Sequence, residues 1–172
     1  MPLAYVALGA NLADPVAQIR AAFKALAALP ESRLLRSSSL YRTAPIGIHG
    51  QPDFINAVAA VETSLGPQDF LAELFVIEAQ FGHRRDYHHA PRTLDLDLLL
   101  FDDQIIDSPT LKLPHPRQHL RAFVLAPLVE IAPDCHIPGR GRADAWLAAV
   151  SMQRIERIEH SEDQEPSAEA AP

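Results

Sequence analysis

Two carboxylates carry the most chemical information in this sequence: Asp95 and Asp97, in the run Arg92-Thr93-Leu94-Asp95-Leu96-Asp97-Leu98-Leu99-Leu100-Phe101. Read as a strand, the run puts Leu94, Leu96, Leu98 and Leu100 on one face and both aspartates on the other, their Cα atoms ~6.5–7 Å apart. Aspartate is disfavoured inside strands, and two like charges at that spacing repel unless a cation neutralises them. Oxygen-only ligands select Mg²⁺ or Mn²⁺, and two such ions could be bridged by this pair together with phosphate oxygens. A solvated edge strand with alternating polar positions accounts for D-x-D alone equally well. The surroundings favour the metal. Arg84, Arg85, Arg92, Arg117 and Arg121 lie in the segments flanking the strand, and guanidinium groups suit bidentate recognition of phosphate oxygens. The sequence has no G-x-x-x-x-G-K-[ST] loop, so a nucleotide would be held by side chains rather than by a glycine-rich nest.

The elements that must position these residues follow from the apolar periods. Leu3 to Leu8 is apolar on both faces, as in a central strand covered on both sides, and it runs into the turn Gly9-Ala10-Asn11. Asp14 can cap a helix starting at Pro15, in which Val16, Ile19, Phe23 and Leu26 recur until Pro30. Residues 33–43 are β-compatible and should pair antiparallel with a strand from Phe54 to Thr63. Gly66-Pro67 opens a second helix, with Phe70, Leu74, Ile77 and Phe81 on one face and Gly82 as its stop. His83 to Pro91 reads as an exposed loop, and the carboxylate strand runs from Thr93 to Phe101. Strand, helix, strand, strand, helix, strand is the order of an α+β, ferredoxin-like βαββαβ core. Two further helices are expected from Arg117 to Ile131 and from Ala143 to Val150.

The 172 residues suit a single domain over 1–158 with its own core. Of the net charge of −7, five acidic residues fall between Glu159 and Pro172, which leaves −2 for the rest of the chain. That stretch has no large apolar residue and is expected to be a disordered tail. The rest lacks the basic excess of a general nucleic-acid binder. Thirteen Arg against two Lys match phosphate recognition, although composition alone assigns the bias to a GC-rich genome. Cys135 has no partner for a disulfide, and neither a charged-then-apolar leader nor a long apolar run is present, so a cytoplasmic location without membrane attachment is expected.

Five ordered blocks resemble the 6-hydroxymethyl-7,8-dihydropterin pyrophosphokinases: Gly9-Ala10-Asn11-Leu12, Ser39-Leu40-Tyr41-Arg42-Thr43, Gln51-Pro52-Asp53-Phe54-Ile55-Asn56, Pro91 to Asp97, and Pro114-His115 through Arg121 and Phe123 to Pro127-Leu128. The resemblance covers residues 3–150. It implies a ferredoxin-like enzyme of folate biosynthesis that transfers the β,γ-diphosphate of ATP to the pterin hydroxymethyl group and releases AMP. It implies further that Asp95 and Asp97 hold two Mg²⁺ ions. Asn56 would hydrogen-bond the pterin edge, Phe123 and Phe54 would stack on its ring, and Thr43, Ala44, Pro45 and Ile46 would offer backbone groups. Glu78, Arg85, Arg92, Leu98, His115 and Arg121 fall at ATP-contacting positions, with Arg85, Arg92 and Asp97 in catalytic roles. The implied partners are ATP and the dihydropterin, with no nucleic acid and no membrane, and the chain is expected to be a monomer. The sequence departs from the family where His88-His89-Ala90-Pro91-Arg92 stands in place of Arg-Trp-Gly-Pro-Arg, where His83 replaces a common arginine, and where Pro116 replaces a frequent tyrosine.

Three other readings compete. A nucleotidyltransferase would use the same paired aspartates but release pyrophosphate. An RNA-binding module of this topology would need stacking aromatics where this chain has Val58 and Ala60. A zinc site among His83, His88, His89, His115 and His119 lacks both C-x-x-C and H-E-x-x-H spacing.

Overall fold

β1 (Leu3–Ala10) is apolar on both faces because both faces are covered. Ala4, Val6, Leu8 and Ala10 point into one core, while Leu3, Tyr5 and Ala7 pack against a second core on the opposite side. α1 (Pro15–Ala27) is opened by Asp14, whose Oδ1 accepts the Ala17 N–H at 3.3 Å, and its Ile19, Phe23 and Leu26 close the first core. The computed structural model describes residues 1–44, 52–82 and 94–159.

β2 (Ser32–Ser37) and β3 (Leu40–Thr43) both pair antiparallel with β4 (Phe54–Thr63). The segment expected as one β-compatible run is thus two strands, broken at Ser38 and Ser39, which are fully buried. Ser38 Oγ accepts the Val58 N–H at 2.9 Å and donates to the Ser39 carbonyl at 2.8 Å, so a side chain competes with the ladder there. α2 (Pro67–Gln80) follows, and β5 (Asp95–Phe101) pairs antiparallel with the other side of β1.

Beyond β5 come a short ribbon of β6 (Ile106–Asp107) and β7 (Lys112–Leu113), then a 3₁₀ turn (Gln118–Leu120) and α3 (Ala122–Ile131). A second ribbon of β8 (His136–Ile137) and β9 (Gly141–Arg142) leads into α4 (Ala143–Ala149) and then β10 (Glu156–Glu159). The six-stranded sheet has the order β10-β3-β4-β1-β5, with β2 also on β4, which is the ferredoxin-like arrangement. Helices α1 and α2 supply the first core, and α3 and α4 supply the second. No helix among the described residues is long and apolar enough to cross a membrane.

One local expectation needs correction. Strict alternation along β5 puts Leu100 with Leu94, Leu96 and Leu98, but the pairing with β1 shifts between Tyr5 and Val6, leaving Leu99 as an extra residue. Leu99 and Leu100 therefore join the second core, and Phe101 joins the first with Leu94, Leu96 and Leu98. The bulge also presents the Leu99 carbonyl to the His115 N–H at 2.9 Å and to Gln118 Nε2 at 3.0 Å. β10 ends at Glu159, the first residue of the stretch read as the acidic tail.

β3 is fastened to α3 by one carboxylate. Glu130 accepts the Ser39 N–H at 3.0 Å, the Ser39 hydroxyl at 2.9 Å and the Tyr41 hydroxyl at 2.7 Å, and Arg157 of β10 lies 3.5 Å away. Burial, and then the hydrogen bond to this carboxylate, push the Tyr41 phenol well above its usual range, so it remains a donor. Glu130→Ala leaves these donors without their acceptor and is expected to cost about 2–4 kcal/mol of stability. Urea unfolding checks this: a midpoint equal to wild type would mean that the network contributes nothing net.

Cys135 packs against the second core, and burial pushes its thiol from 9.0 up to about 11. Its thiolate is then about a hundredfold scarcer at pH 8 than at an ordinary cysteine. Ellman's reagent is expected to react slowly with the native chain and rapidly in urea. Equal rates in both would overturn the assignment.

Candidate active site

The sheet register sets the site's dimensions. On β1, Gly9 is paired with Asn56 of β4 on one side and with Asp95 of β5 on the other. One step along, Ala7 lies between Val58 and Asp97. Asn56 and Asp95 are therefore two strand spacings apart, about 9–10 Å between Cα atoms, with only small residues between them. Bulky side chains at positions 7 and 9 would fill this floor, and glycine and alanine leave it open. A Cβ placed on Gly9 would sit 3.4 Å from Asn56 Oδ1.

Over this floor lies a cavity of about 550 Å³. Thr43, Ala44, Phe54 and Asn56 line it from β3 and β4, and Asp95 and Asp97 from β5. Arg121 and Phe123, at the start of α3, close it from above together with Gln153, Arg154 and Ile155. Asn56 is buried and donates from Nδ2 to Thr43 Oγ1 at 2.9 Å, which fixes the orientation of its amide. The Arg121 guanidinium carbon lies 5.6 Å from the Phe123 ring centroid, so these two residues act as one surface. The sequence blocks that look separate meet here, since Asn11 Nδ2 also reaches the Pro52 carbonyl at 3.5 Å.

Three expected ATP contacts lie outside the cavity lining. Glu78 is buried on α2, where its Oε2 accepts the Leu96 N–H at 2.9 Å and ties the helix to the outer edge of β5. The Leu98 side chain is in the first core, so only its backbone can serve a ligand. His115 is held by its own N–H on Leu99 and by the Arg140 guanidinium, which donates to its carbonyl at 2.9 Å. Burial lowers its pKa, and the charge of Asp97 opposes that without reversing it. Its Nδ1 accepts the Arg117 N–H at 3.1 Å, which leaves Nε2–H as the available donor of the neutral ring. Pro45, Ile46, Arg85 and Arg92 lie outside the described residues, as do Arg84, His83, His88 and His89. Among the described residues no cluster of three or more His, Cys, Asp or Glu could hold a metal, and His119 instead packs edge-on against Trp146 at 4.8 Å.

The family model for 7,8-dihydro-6-hydroxymethylpterin-pyrophosphokinase matches residues 5–133. The chain belongs to this family. It is 49% identical over 154 residues to the 2-amino-4-hydroxy-6-hydroxymethyldihydropteridine pyrophosphokinase of Pseudomonas aeruginosa, covering 90% of this chain and 95% of the relative. Its identity to the enzyme of the same name from Haemophilus influenzae is 46% over 138 residues, covering 80% of this chain and 86% of that one. The fold matches a crystal structure of Plasmodium falciparum HPPK-DHPS with a TM-score of 0.70 at 15% identity, over 87% of this chain and 45% of the longer one. The family makes the chain an ATP-dependent diphosphotransferase.

Sequence reasoning did not assign Gly9, Gln153, Arg154 or Ile155 to the site. Gly9 was signalled by its motif. The other three carry no periodicity or motif, and only the tertiary path from α4 to β10 brings them to the cavity.

Proposed function

We propose that the cavity binds the pterin of 6-hydroxymethyl-7,8-dihydropterin beside Mg-ATP, and that the chain transfers the β,γ-diphosphate of ATP to the hydroxymethyl oxygen with AMP as the leaving group. The observation that carries this is the row Asn56, Gly9, Asp95 across three paired strands. It sets an amide suited to a heterocycle edge about two strand spacings from carboxylates suited to a metal.

Asn56 spends one donor on Thr43, which leaves its second N–H and its acceptor oxygen for the heterocycle. Phe123 and Phe54 supply ring faces for stacking, and Thr43, Ala44, Pro45 and Ile46 supply backbone groups. The donor set fits Mg²⁺, which is held by one or two carboxylates with phosphate oxygens and water rather than by an all-protein cage. Asp95 and Asp97 would hold two such ions, and these would offset charge on the triphosphate and on the transferred group. Arg85 and Arg92 are assigned to the transferred group, and Arg121, His115, Glu78 and Leu98 to the nucleotide. Asp97 has the further task of aligning the attacking hydroxyl, whose proton can leave late, so no dedicated base is required.

The same reading takes residues 1–158 as one catalytic domain with an acidic tail, acting as a cytoplasmic monomer on small molecules alone. Incubation with Mg-ATP and the dihydropterin, with both products identified, tests the reaction. AMP and the pterin diphosphate are expected; release of ADP or of pyrophosphate would overturn it.

A further inference from the structure

Gln153 lies between α4 and β10, beyond the residues 5–133 that the family model matches. Its Oε1 accepts the Ala122 N–H at 2.8 Å, and its Nε2 donates to the Leu120 carbonyl at 2.9 Å. These are the two neighbours of Arg121. Ala122 begins α3, so its N–H has no partner within the helix, and Arg121 at the cap position makes no side-chain cap bond. One amide side chain therefore caps α3 from a distant part of the chain and pins the backbone on both sides of Arg121. Phe123, one residue further, follows the same helix start.

Gln153 is itself held from both directions. Its N–H bonds the Val150 carbonyl at 3.0 Å at the end of α4. Downstream, β10 is paired with β3, and Arg157 Nε donates to Ser39 Oγ at 3.0 Å. The anchor that fixes Arg121 is thus part of the same strand system that carries Thr43.

We propose that Gln153 is a positioning residue of the active site, holding Arg121 and Phe123 in the geometry that receives ligand. This rests on the reading of those two residues as ligand contacts. Misplacement of a contact by a fraction of an ångström is costly in binding and rate. The bond to Leu120 is exposed and the bond from Ala122 only partly buried, so losing both perturbs global stability modestly.

The test compares Gln153→Ala, Gln153→Glu, Arg121→Ala and Phe123→Ala. For each, pterin affinity is measured by fluorescence in the presence of a non-hydrolysable ATP analogue, with Tm and the KM for ATP alongside. Gln153→Ala is expected to weaken pterin binding and raise the KM for ATP about tenfold while Tm moves by only a few degrees. Gln153→Glu keeps an acceptor for Ala122, where a carboxylate at a helix start is favourable, but loses the donor to Leu120. It is expected to match wild type in Tm and to fall between wild type and Gln153→Ala in affinity. Wild-type affinity in Gln153→Ala with Phe123→Ala impaired overturns the positioning role. So does a loss of affinity that simply tracks a large drop in Tm. Wild-type affinity in both Arg121→Ala and Phe123→Ala overturns the site reading instead, and the proposal with it.

Discussion

Replacing either Asp95 or Asp97 by asparagine is expected to leave a folded protein whose turnover falls by at least about a thousandfold. The two positions are on the cavity side of β5, half-buried and exposed respectively, while the neighbouring Leu94, Leu96 and Leu98 carry the core. Asparagine has nearly the shape of aspartate, so core volume is unchanged. Asparagine keeps hydrogen-bonding capacity at the same place, so Tm should move by only a few degrees. Charge is what the metal site loses. Product formation at saturating Mg²⁺, together with a thermal melt, separates the possibilities. A variant that retains more than a tenth of wild-type activity would remove that aspartate from the metal site. A fall in Tm with activity intact would make the pair structural.

The carboxylates were legible in the sequence because their chemistry is local: two aspartates within a leucine strand are costly unless something neutralises them. The helices α1 and α2 were legible for a similar reason, since Asp14, Pro15 and the 3.6-residue period are all short-range signals. What the sequence hides depends on tertiary pairing. Glu156 to Glu159 has one apolar residue, Ile158, and becomes a strand only because β3 offers it an edge. The bulge at Leu99 obeys no local rule, yet it moves Leu100 to the other core and presents the carbonyl that seats His115 and Gln118. The block Ser39 to Thr43 was recognisable by resemblance, but its physical meaning was not. Ser39 and Tyr41 serve Glu130, ninety-one and eighty-nine residues away in sequence, and Thr43 serves Asn56. Gln153 was invisible for the same reason, as its partners are Leu120 and Ala122.

Gly9 allows the sharpest test of where the heterocycle lies. It is the middle of the row from Asn56 to Asp95, and the cavity floor exists because it has no side chain. In Gly9→Ala the new methyl carbon would meet Asn56 Oδ1 at 3.4 Å, at the edge of ordinary contact, so only a several-fold loss of pterin affinity is expected. Gly9→Val suits a strand by propensity, so the sheet should persist, but its two further methyl groups must enter the cavity or displace the Asn56 amide. Forcing such groups into a filled site costs about 1–3 kcal/mol, which is about a fivefold to 150-fold loss of pterin affinity. Binding of a fluorescent ATP analogue with Mg²⁺ should change much less, because the nucleotide contacts assigned above come from α2, β5 and the segment from His115 to Arg121 rather than from the floor at Gly9. Pterin and nucleotide titrations on both variants, with Tm as the control for folding, decide the matter. Pterin affinity unchanged in Gly9→Val would mean that the ring does not cross this floor. Equal losses for both ligands would place the nucleotide over Gly9 as well, and the division of the cavity between Asn56 and the aspartates would have to be redrawn.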